Sequence, residues 1–291
     1  MSFDIDGDWD KPKLPLWKTI RLSYATYYNN FPDLLRTSWL WLILIGVLIG
    51  GGGWLQWSWI IRTIEELKLS GSRIAPSMPL GVVLPVFAGY LAMFLGTISV
   101  QVAWHRRVII HEDQGFSGSN LATKYLWHFV GIYLLIGLAA TLPLFVVSVV
   151  GFFGLQQLGP GLPGLSKFIA AIIFATAFVM SGLIMLRLIM LLPARAIGDV
   201  TLTFRETWQR TRGNAWRLFW GTIACTFVPI IPLYIALFLG IGSIDHANGF
   251  SAAAFARTMA TTTIYILCSF LLLPIFVGFL SHAYQHFFEE A

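Results

Sequence analysis

Charge is the first thing this sequence lacks. Asp, Glu, Lys and Arg make up 11% of its 291 residues, where an ordinary soluble domain carries roughly a quarter. With 57% hydrophobic residues and a mean hydropathy of +0.73, the chain has too few polar side chains to cover its own surface in water. That excludes a water-soluble globule. Lipid as the solvent removes the conflict, because lipid-facing side chains can be apolar while each helix satisfies its own backbone hydrogen bonds.

Cysteine is scarce too. Cys225 and Cys268 both fall inside apolar runs, which excludes a disulfide framework and a cysteine-based metal motif. There is no P-loop, nucleophile elbow, HExxH or dinucleotide fingerprint, so no cofactor is implied and the balance leans away from an enzyme without deciding it. The acidic, polar start MSFDIDGDWDKPKLPLW precedes the first long apolar run, which begins near Trp39. This argues against a cleavable signal peptide and for a retained first span. The formal charge of +5 and pI near 9.3 do not point to nucleic acid, since the basic residues flank apolar runs and form no binding motif.

What the sequence has is six stretches of the roughly 20 apolar residues a span requires. They cover 39–61, 79–104, 126–155, 168–192, 216–242 and 258–280. Gly159, Pro160, Gly161, Pro163 and Gly164 supply a turn between the third and fourth. The polar stretch around Asp245, His246 and Asn248 separates the fifth from the sixth, whose first turns carry Thr261, Thr262 and Thr263. The expected fold is an all-α polytopic transmembrane bundle of three hairpins. Its parts are an N-terminal tail with an interfacial helix over 1–38, the six-span domain over 39–285 and a short tail over 286–291.

Basic residues are unevenly shared between the two sides. Lys11, Lys13, Lys18, Arg21, Arg36, Arg106, Arg107, Lys124, Arg187, Arg195, Arg205, Arg210, Arg212 and Arg217 fall on one side, and Arg62, Lys68, Arg73, Lys167 and Arg257 on the other. The positive-inside rule then predicts a multi-pass membrane protein with both termini in the cytoplasm.

Trp17, Ile20, Tyr24, Tyr27 or Tyr28, Phe31 and Leu34 recur at helical spacing before the first span, with charged residues between them. The pattern predicts an amphipathic helix along the headgroups. A second such segment precedes the fifth span, where Thr203 and Glu206 have capping-box spacing and Leu202, Phe204 and Trp208 face away from Arg205, Gln209 and Arg210. Ordinary loop helices would give the same patterns. LSYATYYNN from Leu22 overlays LTFRETWQR from Leu202. Sliding the third span onto the fifth pairs Trp127 with Trp216, Pro143 with Pro232 and Gly151 with Gly240, while a similar shift pairs Leu192 and Pro193 with Leu273 and Pro274. A threefold hairpin repeat would explain these matches, and so would chance in a Trp-, Pro- and Gly-rich composition.

The middles of the spans contain no Asp, Glu, Lys or Arg, which disfavours a proton- or ion-coupled pump. Arg187, near the basic end of the fourth span, is placed to snorkel to the headgroups. After the second span, His105, Arg106, Arg107, His111, Glu112 and Asp113 read as a titratable loop. It could grip a lipid phosphate, carry acid–base chemistry or simply be a topogenic turn. Arg187 and Arg195 join His105, Arg106, Arg107 and His111 as headgroup candidates. His282, His286 and Glu289 share a helical spacing suited to metal, and equally to a helix leaving the membrane through interfacial Tyr284, Phe287 and Phe288. Gly46 and Gly50, leading into Gly51, Gly52 and Gly53, have the small-xxx-small spacing of closely packed helices. Pro85, Pro143, Pro229, Pro232 and Pro274 lie inside spans and predict bends.

The layout of the whole chain, and above all PARAIGDVTLTFRETWQRTRGNAWRLFW from Pro193, resembles a group of poorly characterised six-span bacterial inner-membrane proteins. The group includes the membrane domain attached to some glycerophosphoryl diester phosphodiesterases. The catalytic barrel of those enzymes has no counterpart here, so the resemblance implies a fold and no activity.

Three functions follow as expectations. One is a non-enzymatic scaffold, regulator or lipid-interacting protein, with membrane lipids as partners. The second is a transporter or flippase for a lipid-like or uncharged solute, with Thr97, Ser99, Gln101, Thr141, Thr222 and Thr226 lining a hydrated cavity. The third is a lipid-modifying enzyme working from His105, Arg107, His111 and Glu112, which requires those side chains to converge.

Overall fold

The computed structural model describes residues 13–70, 77–112, 115, 121–157, 163–242 and 252–289. Lys11, Arg73, Asp113, Gly159, Pro160, Gly161, Asp245, His246 and Asn248 lie outside the described residues. Helices α1 (Leu16–Asn29), α2 (Phe31–Ile45), α3 (Gly52–Ser70), α4 (Leu80–Ile110) and α5 (Lys124–Gln157) are followed by α6 (Pro163–Leu188), α7 (Leu191–Ile197), α8 (Phe204–Arg210), α9 (Ala215–Gly242) and α10 (Ala252–Tyr284). No strand occurs among the described residues. A π-helical stretch, Gly46–Gly51, makes α2 and α3 continuous, and a second, Gln285–Glu289, extends α10. Among the described residues, six segments are long and apolar enough to cross a membrane: Phe31–Leu67, Leu80–Ile110, Lys124–Val149, Ala171–Ile197, Ala215–Leu239 and Ala256–Phe288. The protein is an all-α polytopic membrane bundle.

The helices run past several sequence-derived limits, each for a local reason. The amphipathic stretch 17–34 is two helices rather than one, broken where Asn30 caps α1 through its own amide donating to Thr26 O at 2.7 Å. Pro32 then occupies the first turn of α2, where its missing N–H is harmless. The second span continues six residues beyond 104, because Val108 and Ile109 on its last turns are buried. The fourth breaks at Ile189 and Met190, so that α7 turns inward with Leu191, Leu192 and Ala194 fully buried.

Packing is concentrated at one end of the bundle, the end carrying α1, α7, α8 and most of the described Lys and Arg. The largest buried side chains there include Leu34, Ile98, Phe129, Met190, Leu218 and Phe279. At the far end, α5 and α6 pack on each other while nine of the ten residues 171–180 are exposed around the whole helix. Such all-round apolar exposure suits a helix solvated by lipid rather than by protein. α4 and α10 form the central pair, and α10 touches α1, α2, α3, α4, α7 and α9.

The glycines of the first span act as close-packing residues. A Cβ on Gly46, Gly50 or Gly53 would sit 3.6, 3.4 or 2.7 Å from Leu267, Thr263 or Met259, successive turns of one α10 face. At the packed end, a Cβ on Gly221 of α9 would lie 2.0 Å from the Phe279 ring, whereas one on Gly137 of α5 meets nothing within 4 Å. Gly-to-Ala in a helix gains about 0.5–1 kcal/mol in backbone terms, so contact decides the sign. Gly137→Ala is expected to raise the melting temperature in detergent slightly. Gly221→Ala, which must displace the Phe279 ring, is expected to lower it, by about 1–3 kcal/mol in stability.

Candidate functional site

The last turns of α4 hold the sequence-derived cluster, and their helical continuation decides where each side chain goes. At about 100° per residue, His105, Arg106 and Arg107 leave in three directions. His105 is fully buried and its Nδ1 lies 2.8 Å from Ser281 Oγ of α10. The Ser281 hydroxyl donates to Val277 O at 2.9 Å, so it accepts from His105, and the bond assigns the imidazole proton to Nδ1. His105 Nε2 has no hydrogen-bond partner among the described residues, and the ring faces Phe129 with centroids 6.0 Å apart.

Arg106 turns the other way. It pairs with Glu112, donates to Ala196 O at 3.1 Å and lies over the Tyr125 ring at 4.8 Å. Arg107 donates to Asn30 Oδ1 and pairs with Asp33 at 2.6 Å, tying α4 to the α1–α2 corner. His111 caps α4 in the left-handed conformation with φ 54 and is exposed. The four residues needed for acid–base chemistry therefore do not converge: His105 is in the core, His111 is in solvent, and Glu112 is folded onto Arg106.

Arg195 also serves the fold, donating to Asp199 O and, at 2.9 Å, to Leu202 O. Asp199 Oδ1 accepts from the Thr201 N–H at 2.8 Å and its hydroxyl at 2.7 Å. Gly198 turns this corner at φ +89 under the Tyr125 ring. The Thr203 cap on α8 is present, its hydroxyl accepting from Glu206 N at 3.2 Å, with Glu206 paired to Arg210 at 3.0 Å. Arg187 reaches across to α8. Its guanidinium carbon lies over the Trp208 ring, 3.5 Å from the centroid, while Nε donates to Thr211 Oγ1 at 3.2 Å and Nη2 to Trp208 O.

α1 is docked on the bundle through polar bonds. Tyr24 OH donates to Ala224 O at 2.8 Å, Ser23 Oγ to Ile275 O, and Thr26 Oγ1 lies 3.1 Å from His282 Nε2. At its entry, Leu14 N donates to Asn214 Oδ1 at 2.9 Å, and Arg217 to Leu14 O at 2.6 Å. His282 is thus held by Thr26 and by Gln285, whose Oε1 is 3.2 Å from Nδ1. The π-helical turn that begins at Gln285 interrupts the α-helical spacing of the His282, His286 and Glu289 candidate. Among the described residues no three His, Cys, Asp or Glu gather as metal ligands.

The six polar residues expected to line a transport cavity are dispersed. Ser99 and Gln101 are buried in the packed end, Thr97, Thr222 and Thr226 are partly buried, and Thr141 is exposed with its hydroxyl donating to Gly137 O at 2.9 Å. A cavity of about 10 Å³ between α2 and α4, lined by Asp33, Thr37, Ala103, Trp104 and Arg107, has room for one water.

Sequence reasoning missed the partners: Asn30, Asp33, Ser281, Trp208 and Asn214. All lie 21 to 200 residues from the groups they bind, except that Glu112 follows Arg106 by six, and no periodicity reports such contacts.

Outside the spans, Asp199 sets an acid limb, and Tyr24 with Tyr27, whose burial pushes its phenol up to about 12, an alkaline one. Burial opposes the charge of Asp199, but the Thr201 hydroxyl, the N–H groups of Thr201 and Leu202, and nearby Arg195 hold its carboxyl below the usual range. Its contribution is present above about pH 4 and is lost as pH falls through the depressed folded value. Burial, with Cys225 and Tyr28 adding, pushes Tyr24 up to about 12. Its contribution is present below about pH 10 and is lost as pH rises towards 12. Melting temperature in detergent should therefore fall below about pH 4 and above about pH 10. Asp199→Ala should flatten the acid limb and Tyr24→Phe the alkaline one, and unchanged limbs would refute these assignments. Gly198→Ala, strained by its positive φ and by the Tyr125 ring, should cost more than 1 kcal/mol, roughly, in the same assay. No protein-family model matches this chain, and neither a curated protein nor a solved structure shows significant similarity to it.

Proposed function

We propose that this is a non-enzymatic, lipid-interacting protein of the cell inner membrane, with its basic end and both termini in the cytoplasm. The observation that carries the reading is how the titratable side chains of the basic end are used. Arg106, Arg107, Arg195, Arg210, His105 and His282 are bonded to carboxylates, hydroxyls and carbonyls of the fold itself. Catalysis needs such groups to meet around a reacting atom, whereas a membrane platform needs them as fasteners. The excess of Lys and Arg at this end supports the cytoplasmic orientation. The resemblance of the stretch from Pro193 to six-span inner-membrane proteins fits the same reading and adds no activity.

Carriage of a lipid-like solute is a second reading. It is favoured by α6, where nine of the ten residues 171–180 are exposed around the helix. The dispersed polar residues give it no hydrated path.

Two measurements divide these readings. Protein purified in mild detergent should retain phospholipid and leave added phospholipids chemically unchanged, and turnover of any headgroup would remove the first reading. Reconstituted vesicles should show labelled-lipid flipping no faster than protein-free vesicles, and a protein-dependent rate would favour carriage instead.

A further inference from the structure

Four arginines are the sequence-derived headgroup candidates, and three are matched by the fold. Arg106 faces Glu112, Arg107 faces Asp33, and Arg195 donates to two loop carbonyls with Asp199 nearby. Arg187 is built differently. Its described partners are a hydroxyl, a carbonyl and an indole face, none of which carries a negative charge. Arg212 lies close enough to repel it. An anion placed here would relieve that repulsion.

The guanidinium is also held in one orientation. Trp208 lies against its guanidinium carbon, and the bonds from Nε and Nη2 restrict its rotation. Both N–H groups of Nη1 remain unspent among the described residues. A planar fork with its free donors pre-oriented is suited to phosphate oxygens, and little side-chain entropy is left to lose on binding. The position selects the source of the phosphate. Arg187 is the penultimate residue of α6, and Phe204 and Trp208 on the contacting helix α8 are 36% and 41% exposed. Those apolar surfaces would meet acyl chains and the glycerol region of a bilayer lipid.

We propose that Arg187, stacked on Trp208 and beside Arg212, binds the phosphate of an anionic phospholipid in the leaflet at the basic end. This rests on the lipid-interacting reading above and assigns it a site. Snorkelling places the guanidinium at headgroup depth, while the indole stack and the two fixing bonds give it specificity.

The test uses the full chain in detergent, with lipid retention followed by native mass spectrometry and melting temperature followed with and without added phosphatidylglycerol. Wild-type protein should retain phosphatidylglycerol over a phosphate-free glycolipid and melt higher in its presence. Arg187→Gln should reduce retention about tenfold, as expected for loss of one charge-assisted contact, and should abolish the lipid-induced rise whatever its basal melting temperature. If that variant fails to fold, Arg187→Lys keeps the charge but loses the fork and should bind more weakly than wild type. Equal retention by wild type and by whichever of these variants folds overturns the site while leaving the lipid-interacting reading intact. Wild-type protein that retains no phospholipid overturns both. Competition by inorganic phosphate at millimolar concentration would also overturn the site, since it would show a receptor for a soluble anion.

Discussion

The contact between α4 and α10 at the basic end is the constraint on which the rest depends. His105 and Ser281 meet there with no exposed surface, so neither side chain has water as an alternative partner. A buried polar pair of this kind fixes the register between two otherwise greasy helices, because sliding by one turn would orphan the His105 Nδ1–H. Gly278, three residues before Ser281, allows Ser23 of α1 and Trp104 of α4 to close over the same spot. The neighbouring helices α1, α2, α7 and α9 are then arranged around a crossing whose position is already set.

This explains how the arginines are used. In a bilayer the hydrophobic effect does not drive helices together, so directed bonds and close packing carry more of the specificity. Arg107 joins α4 to the α1–α2 corner, Arg106 joins it to α7 through Ala196 O, Arg217 holds the entry to α1, and Arg210 reaches Phe287 O beyond α10. Residues that look like a binding cluster in sequence are mostly the fastenings of a helical cap. Arg187 departs from that pattern, since what it fastens leaves part of its donor fork unused.

The fold was legible where a single window of sequence contains the physics. The six spans follow from apolar length alone, the Thr203 cap from its spacing to Glu206, and the Gly46–Gly53 seam from its periodicity. The end of α4 was not legible, because His105, Arg106 and Arg107 read as a loop unless the burial of Val108 and Ile109 is known. The break at Asn30 was also hidden, since Pro32 stops α1 while an apolar pattern runs straight through it. The candidate site was the least legible part. Asp33 and Ser281 lie 74 and 176 residues from the groups they bind, and local pattern has no term for such pairs.

The seating of α1 sets an order on how this protein is made. Its anchors, Asn214, Ala224, Ile275 and His282, belong to the final third of the polypeptide. Because α1 precedes α9 and α10 in the chain, its seat exists only once those two helices have been made and inserted. Until then none of these four bonds can form, and closing them latches distant stretches of the polypeptide together.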